Sequence, residues 1–239
     1  MCNLYANTAP QSAMRRLFGV APSGDRLGNF APLPAIFPRQ SAPVVRREGD
    51  GGRALVMMHW GFLLAQKSQR TGQPIQPKAV TNARDDKLRR SPFWAESFAI
   101  RRCLVPATSF AEAKGRNPAT YYWFALAGDD PAARPPFAFA GLWRRFHVDD
   151  HGERGQLDTF TIVTTTPNDL VRPIHPSRMP VILAPADHGT WLDGSPQEAA
   201  RLTRPFPAAR MRIVRQGAGL RQDSLQDGDM GAAADGRAR

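Results

Sequence analysis

The residue types best suited to chemistry in this sequence stand at its start, Met1-Cys2-Asn3. Aminopeptidases remove an initiator Met when the next side chain is small, and Cys qualifies. The mature chain would then begin at Cys2, with an α-amine and a thiol on adjacent carbons. Such an amine titrates near ~8 and a thiol near ~8.5, so both are partly nucleophilic at neutral pH. Together they can close a five-membered ring on an aldehyde, or the amine can act as base for the thiol. Position alone equally fits a small buried residue behind a frayed terminus. Further along, Asn82 and Arg84, Glu112, Thr164 and Thr165, and His175 with Arg178 flank β-prone runs that could hold them rigidly. Each has a plainer alternative. Asn82-Ala83-Arg84 can be a capping turn, Glu112 a solvated carboxylate after a strand, and His175, between Pro173 and Pro176, a loop histidine.

Composition bounds what these groups can do. The 239 residues are 42% hydrophobic and 22% charged, which fits a globular chain of one domain or two small ones. The two cysteines make no disulfide framework and fit a reducing, cytoplasmic compartment. No CxxC, paired Cys/His spacing or HExxH is present, so no metal is expected. The start has no basic segment leading into an apolar run, so no signal peptide is read there. No apolar stretch is long enough to span a membrane. The net charge of +11, from 32 Lys and Arg against 21 Asp and Glu, points to a polyanion, most simply nucleic acid. An arginine-rich proteome would give the same charge with no such partner.

These groups need elements to position them. Thr8 and Gln11 predict a capping box opening a helix that runs to about Phe18 and stops at Gly19. The prolines within 31–43 predict an extended loop. Leu55 to Leu64 reads as one buried strand and 65–79 as a surface loop. A short charged helix over Asp85–Arg90 precedes a second helix that Ser91-Pro92 would start. Strands are expected over Ile100–Val105, Tyr121–Leu126, Phe137–Phe146 with a bulge or bend at Gly141, Thr159–Thr165, Val181–Leu183 and Met211–Val214. If Arg101 and Arg102 share a strand, they point to opposite faces and at most one meets a nucleic acid. Ser195-Pro196-Gln197-Glu198 is a capping box that opens a further helix. From about Gln216 the apolar content falls away, which reads as a disordered tail, 216–239. Many short strands among helices predict one α+β domain, 1–215, with a curved or barrel-like, mainly antiparallel sheet.

Several motifs, in order, resemble the SOS response-associated peptidase (SRAP) family. They are Met1-Cys2, His59-Trp60-Gly61-Phe62, Asn82-Ala83-Arg84, Arg101-Arg102-Cys103-Leu104-Val105-Pro106, Gly141-Leu142-Trp143, Thr164-Thr165, Ile174-His175, and Arg178 through Leu183. They spread over roughly residues 1–192. The resemblance implies a sensor that cross-links to abasic sites in single-stranded DNA and protects the lesion during the DNA damage response. The Cys2 amine would attack the open-chain sugar aldehyde, and the thiol would close a thiazolidine. Glu112 would move protons during ring opening and imine formation, and His175 would serve the sugar hydroxyl and assist reversal. Asn82 would position the Cys2 backbone and the substrate. Arg84, Trp60, Thr164 and Arg178 are the implied DNA contacts, Arg84 holding a phosphate and Trp60 supporting or stacking near the DNA channel. No cofactor or metal is implied, and the protein would be a monomer in a bacterial cytoplasm, on the nucleoid after damage.

The chain departs from the family pattern. Asn3-Leu4 replaces the commoner Gly-Arg, which removes an N-terminal arginine. Ala111-Glu112-Ala113 keeps the glutamate without its flanking aromatics, and Leu64 stands where a proline is usual. Two residues rather than one separate His175 from Arg178. The alternatives are a cysteine peptidase using Cys2 as N-terminal nucleophile, acting on Met1 or on other peptides, and a DNA-binding module without chemistry. The formal class would then be peptidase or other hydrolase, or a lyase for the DNA reaction.

Overall fold

A computed structural model of the chain describes residues 2–49, 51–130, 132–150 and 153–224. In order, the elements are β1 (Tyr5–Asn7), α1 (Gln11–Phe18), β2 (Leu33–Ile36), β3 (Ser41–Arg47), β4 (Arg53–Trp60), β5 (Phe62–Lys67), β6 (Pro74–Val80) and β7 (Asn82–Arg84). Then follow α2 (Pro92–Ile100), β8 (Arg102–Ala107), β9 (Ser109–Lys114), β10 (Thr120–Leu126), β11 (Phe137–Asp150) and β12 (Glu153–Thr165). The chain continues with β13 (Met179–Pro180), β14 (Ile182–Leu183), α3 (His188–Asp193), α4 (Pro196–Arg201) and β15 (Met211–Ala218).

The fold is α+β and mainly antiparallel. β12, β4, β3, β8 and β11 pair in that order, and β11 pairs back onto β12, so the sheet closes into a barrel. Among the described strands, β12 pairs in parallel with β4 and β7 and the other pairings are antiparallel. A second sheet runs β15-β10-β9-β1-β2. Side chains alternate across a strand, and here both faces are covered. Val44, Val105, Phe139 and Ile162 pack with Tyr5, Phe110 and Phe124 of the second sheet. Their chain neighbours Val45, Leu104, Ala140 and Val163 pack with Met14 and Phe18 of α1, Trp94 and Phe98 of α2, and Trp191 of α3. The barrel strands therefore read as continuous apolar runs rather than alternating ones.

Several expectations need correction. Leu55–Leu64 is not one strand. At Gly61 the chain turns with φ 125°, so β4 stays in the barrel while β5 leaves to pair with β6. The segment 65–79 is thus largely hairpin rather than loop, its prolines lying on β6, which has a single partner strand. The proline-bearing stretch 31–43 contributes β2 and the start of β3. Thr8 does not cap α1. Its hydroxyl pairs with that of Thr108 at 3.2 Å, and the Gln11 amide donates to Asp25 at 2.7 Å. Over Asp85–Lys87 the chain makes one tight 3-10 turn. Ile100 ends α2 instead of opening a strand. Gly141 makes no bulge, because the register of β11 runs through it unbroken. A Cβ there would lie 2.7 Å from Val105 Cγ2 and 2.8 Å from Cys103 Sγ, so close packing explains the glycine. β1 and β9 were not foreseen. Gly19 ends α1, and the Ser195–Glu198 capping box opens α4, as expected. The chain is ordered past Gln216, through the end of β15 and on to Ser224, and the rest of the expected tail, 225–239, lies outside the described residues.

Candidate active site

The site is built where the N-terminal segment crosses the end of β9. Tyr5 pairs with Phe110 and Ala6 with Ser109, and the Ala111 N–H donates to Leu4 O at 2.9 Å. Carried one residue further, this register sets Asn3 opposite Glu112. β7 holds the segment from the other side. The Asn82 Nδ2 group donates to Cys2 O at 2.9 Å and to Thr81 Oγ1 at 2.9 Å. The Thr81 hydroxyl in turn donates to Asn3 Oδ1 at 3.0 Å. β7 itself runs parallel to β12, with Asn82 opposite Ile162, so the barrel fixes Asn82 before Asn82 fixes the terminus. Cys2 and Asn3 are therefore anchored, not frayed.

A cleft of about 470 Å³ opens beside them, with Asn3, Glu112, His175, Phe37, Tyr121 and Arg221 on its walls. Glu112 is 4% exposed, and burial lifts its carboxyl to about 7, partly opposed by the positive charge of the chain terminus. It is thus poised to give and take protons near neutral pH. Burial, with the same terminal charge, lowers the His175 pKa and favours the neutral ring. The Arg178 N–H donates to His175 Nδ1 at 3.2 Å, which assigns the proton of the neutral ring to Nε2. Cys2 itself is fully buried, its Sγ 3.7 Å from Leu4 O. Burial first, and then the Glu112 charge, push its thiol pKa well up. Glu112, His175 and Asn3 thus share one cleft, and Asn82 holds the residue just before Asn3 through Cys2 O. Among the described residues no group of His, Cys, Asp and Glu could hold a metal ion.

The expected DNA contacts fare differently. Arg84 is exposed and forks onto Asp86 through two bonds of 2.9 Å. Trp60 cannot stack on a base. It is fully buried, stacked on Phe160, with its indole N–H on Thr81 O at 3.0 Å. It supports the wall from inside the core. Thr164 is also fully buried and bonds Ala83 O, so it faces no ligand. Arg178 is nearly buried against Thr164 and pairs with Asp85 at 2.6 Å. That arrangement ties the His175 loop to β12. Of the arginine pair, Arg102 is interior, donating to Phe98 O and Ala99 O, and Arg101 pairs with Glu96 at 2.7 Å. Phe37, Thr81, Tyr121 and Arg221 escaped the sequence reading. Tyr121 reaches the cleft because it lies opposite Ala113 across β9 and β10, a pairing with no local signature.

Comparison with known proteins decides the family. The profile of the SOS response associated peptidase (SRAP) family matches residues 1–217. The chain belongs to this family. Two SRAP relatives from Bacillus subtilis, the abasic site processing proteins YoqW and YoaM, are each 30% identical over 188 residues, about three quarters of either chain. A crystal structure from Bordetella bronchiseptica superposes with a TM-score of 0.69 at 23% identity, covering 91% of this chain and 99% of the other. One from Bacteroides thetaiotaomicron gives 0.65 at 23%, covering 91% of each. These likenesses show that both share the fold of this chain.

Proposed function

We propose that this protein captures abasic sites in single-stranded DNA by covalent attachment to Cys2. The observation that carries the reading is the bond from Asn82 to Cys2 O. It holds the N-terminal carbon skeleton against a cleft that also presents Glu112 and His175. The relatives named as abasic site processing proteins supply the substrate class.

Removal of Met1 leaves the Cys2 α-amine as the first group of the chain. The amine adds to C1′ of the open-chain sugar, and the carbinolamine loses water to give an imine. The thiol then adds to the imine carbon. A C–S bond forms, the C=N bond becomes single, and the nitrogen takes up the proton that the thiol gives up. The sum is aldehyde plus aminothiol to thiazolidine plus water. Glu112, near its midpoint at neutral pH, can protonate the ring oxygen on opening and the departing hydroxyl. His175, with its proton on Nε2, donates to a sugar oxygen.

The test is a denaturing gel after incubation with single-stranded DNA bearing one abasic site. The wild type should give a slow band that survives boiling, and Cys2→Ala should give none. A wild type without the band, or a mutant that keeps it, refutes the reading. Intact mass should show that Met1 is absent from the reactive protein.

A further inference from the structure

The residues after β15 do more than end the chain. Beyond Ala218 the backbone turns at Gly219 and crosses the open face of the second sheet from its β15 edge to its β2 edge. Leu220 packs beside Leu4, Ala6 and Trp123, and its carbonyl accepts the Trp123 indole N–H at 2.9 Å. The Asp223 N–H donates to Pro34 O at 2.9 Å. The Asp223 side chain is only 1% exposed. It accepts from Ser109 Oγ at 2.5 Å and from Arg134 Nε at 3.0 Å, and the Arg134 side chain is 8% exposed. An ion pair this far from water is costly to bury unless its hydrogen bonds are satisfied, and here they come from β9 and from the segment before β11. The segment 219–224 is therefore a clasped strap.

The strap carries one residue to the cleft. Arg221 sits on the cleft wall with Glu112 and His175, its guanidinium 5.7 Å from the centre of the Tyr121 ring. Its side chain is exposed. No other lysine or arginine lies among the described residues lining the cleft. Ala113, small and opposite Tyr121, and Leu4, uncharged, leave this wall to the Tyr121–Arg221 pair. An arginine resting on an aromatic face keeps its donor fork outward, and such a fork matches phosphate oxygens.

We propose that Arg221 is a phosphate-binding residue of the Cys2 cleft, presented by the clasped strap, and that it takes a phosphodiester flanking the abasic sugar. This rests on the reading that the cleft receives DNA. It adds a substrate contact from the C-terminal end of the domain to chemistry carried by the N-terminus.

Arg221→Ala should weaken the affinity of the full chain for an undamaged single-stranded oligonucleotide roughly tenfold. It should flatten the slope of log affinity against log salt by about 0.7, the share of one phosphate contact on a single strand. Arg221→Lys should recover part of the affinity. Capture of limiting abasic oligonucleotide should fall several-fold more than reaction with free deoxyribose, which has no phosphate. Asp223→Ala should raise hydrogen exchange over 219–224 and lower oligonucleotide affinity in parallel. Unchanged affinity and salt slope in Arg221→Ala overturn the proposal, and so does an Asp223→Ala protein whose strap exchanges freely while DNA binding is intact. Because the affinity and salt-slope readouts use undamaged DNA, they are separate from the boiling-resistant band: absence of that band in the wild type refutes covalent capture and leaves those Arg221 measurements standing.

Discussion

At Glu112 the burial of a single carboxyl makes stability depend on pH. Its carboxyl is moved from 4.5 to about 7 by burial on β9. Below about pH 4.5 it is protonated in the folded and unfolded chain alike, so its burial costs no ionisation energy. As pH rises toward 7 the unfolded chain ionises first, the folded state binds the extra proton, and stability falls. The whole shift corresponds to on the order of 3 kcal/mol. Glu112→Gln should therefore raise the unfolding free energy by on the order of 2 kcal/mol near pH 8, with the gain fading toward pH 4.5, as read by urea titration at both pH values. An equal gain at both would mean that ionisation is not its source. The same variant should slow abasic-site capture by about a hundredfold. Cys2, Asn82, Glu112 and His175 could all be named from the sequence. That Trp60 and Thr164 are interior could not, because burial belongs to the surroundings of a residue and not to its type.

At the scale of elements, the break between β4 and β5 governs where Asn82 lies. Gly61 turns the chain at φ 125°, its N–H bonding Phe160 O at 2.8 Å, and sends β5 and β6 out as a hairpin that returns at Thr81. A Cβ at Gly61 would lie 2.7 Å from Ala79 Cβ, and φ 125° is a conformation that side chains avoid. Gly61→Ala should cost on the order of 2 kcal/mol or more in a urea melt, and it should also weaken capture by shifting β7 and its bond to Cys2 O. A neutral effect on both would separate the hairpin from the site. The ten-residue apolar run hid this break because periodicity cannot show that one glycine has positive φ. The capping box before α4 was legible because both of its hydrogen bonds are local in sequence.

At the scale of the whole molecule, the count of 32 lysines and arginines overstates the cations free to meet DNA. Arg26, Arg145, Arg178 and Arg134 are held by Glu48, Asp158, Asp85 and Asp223. Binding of single-stranded DNA should accordingly show a slope of log affinity against log salt of about −2 to −4, or roughly three to six phosphate contacts. A slope near zero in a fluorescence titration would rule out an electrostatic DNA interface. The sequence by itself determined the family motifs, the α+β class with a barrel-like sheet, and the candidate residues for the proposed chemistry. These are properties of residue type, order and local spacing. Only the tertiary structure decided that β1 pairs with β9 beside the cleft that Asn3 and Glu112 share, that Asn82 reaches Cys2 O across 80 positions, and that the supposed tail returns to bring Arg221 to the cleft. Each depends on strand pairing or on a buried ion pair between segments far apart in the chain, and such contacts leave no periodic trace in any one of them.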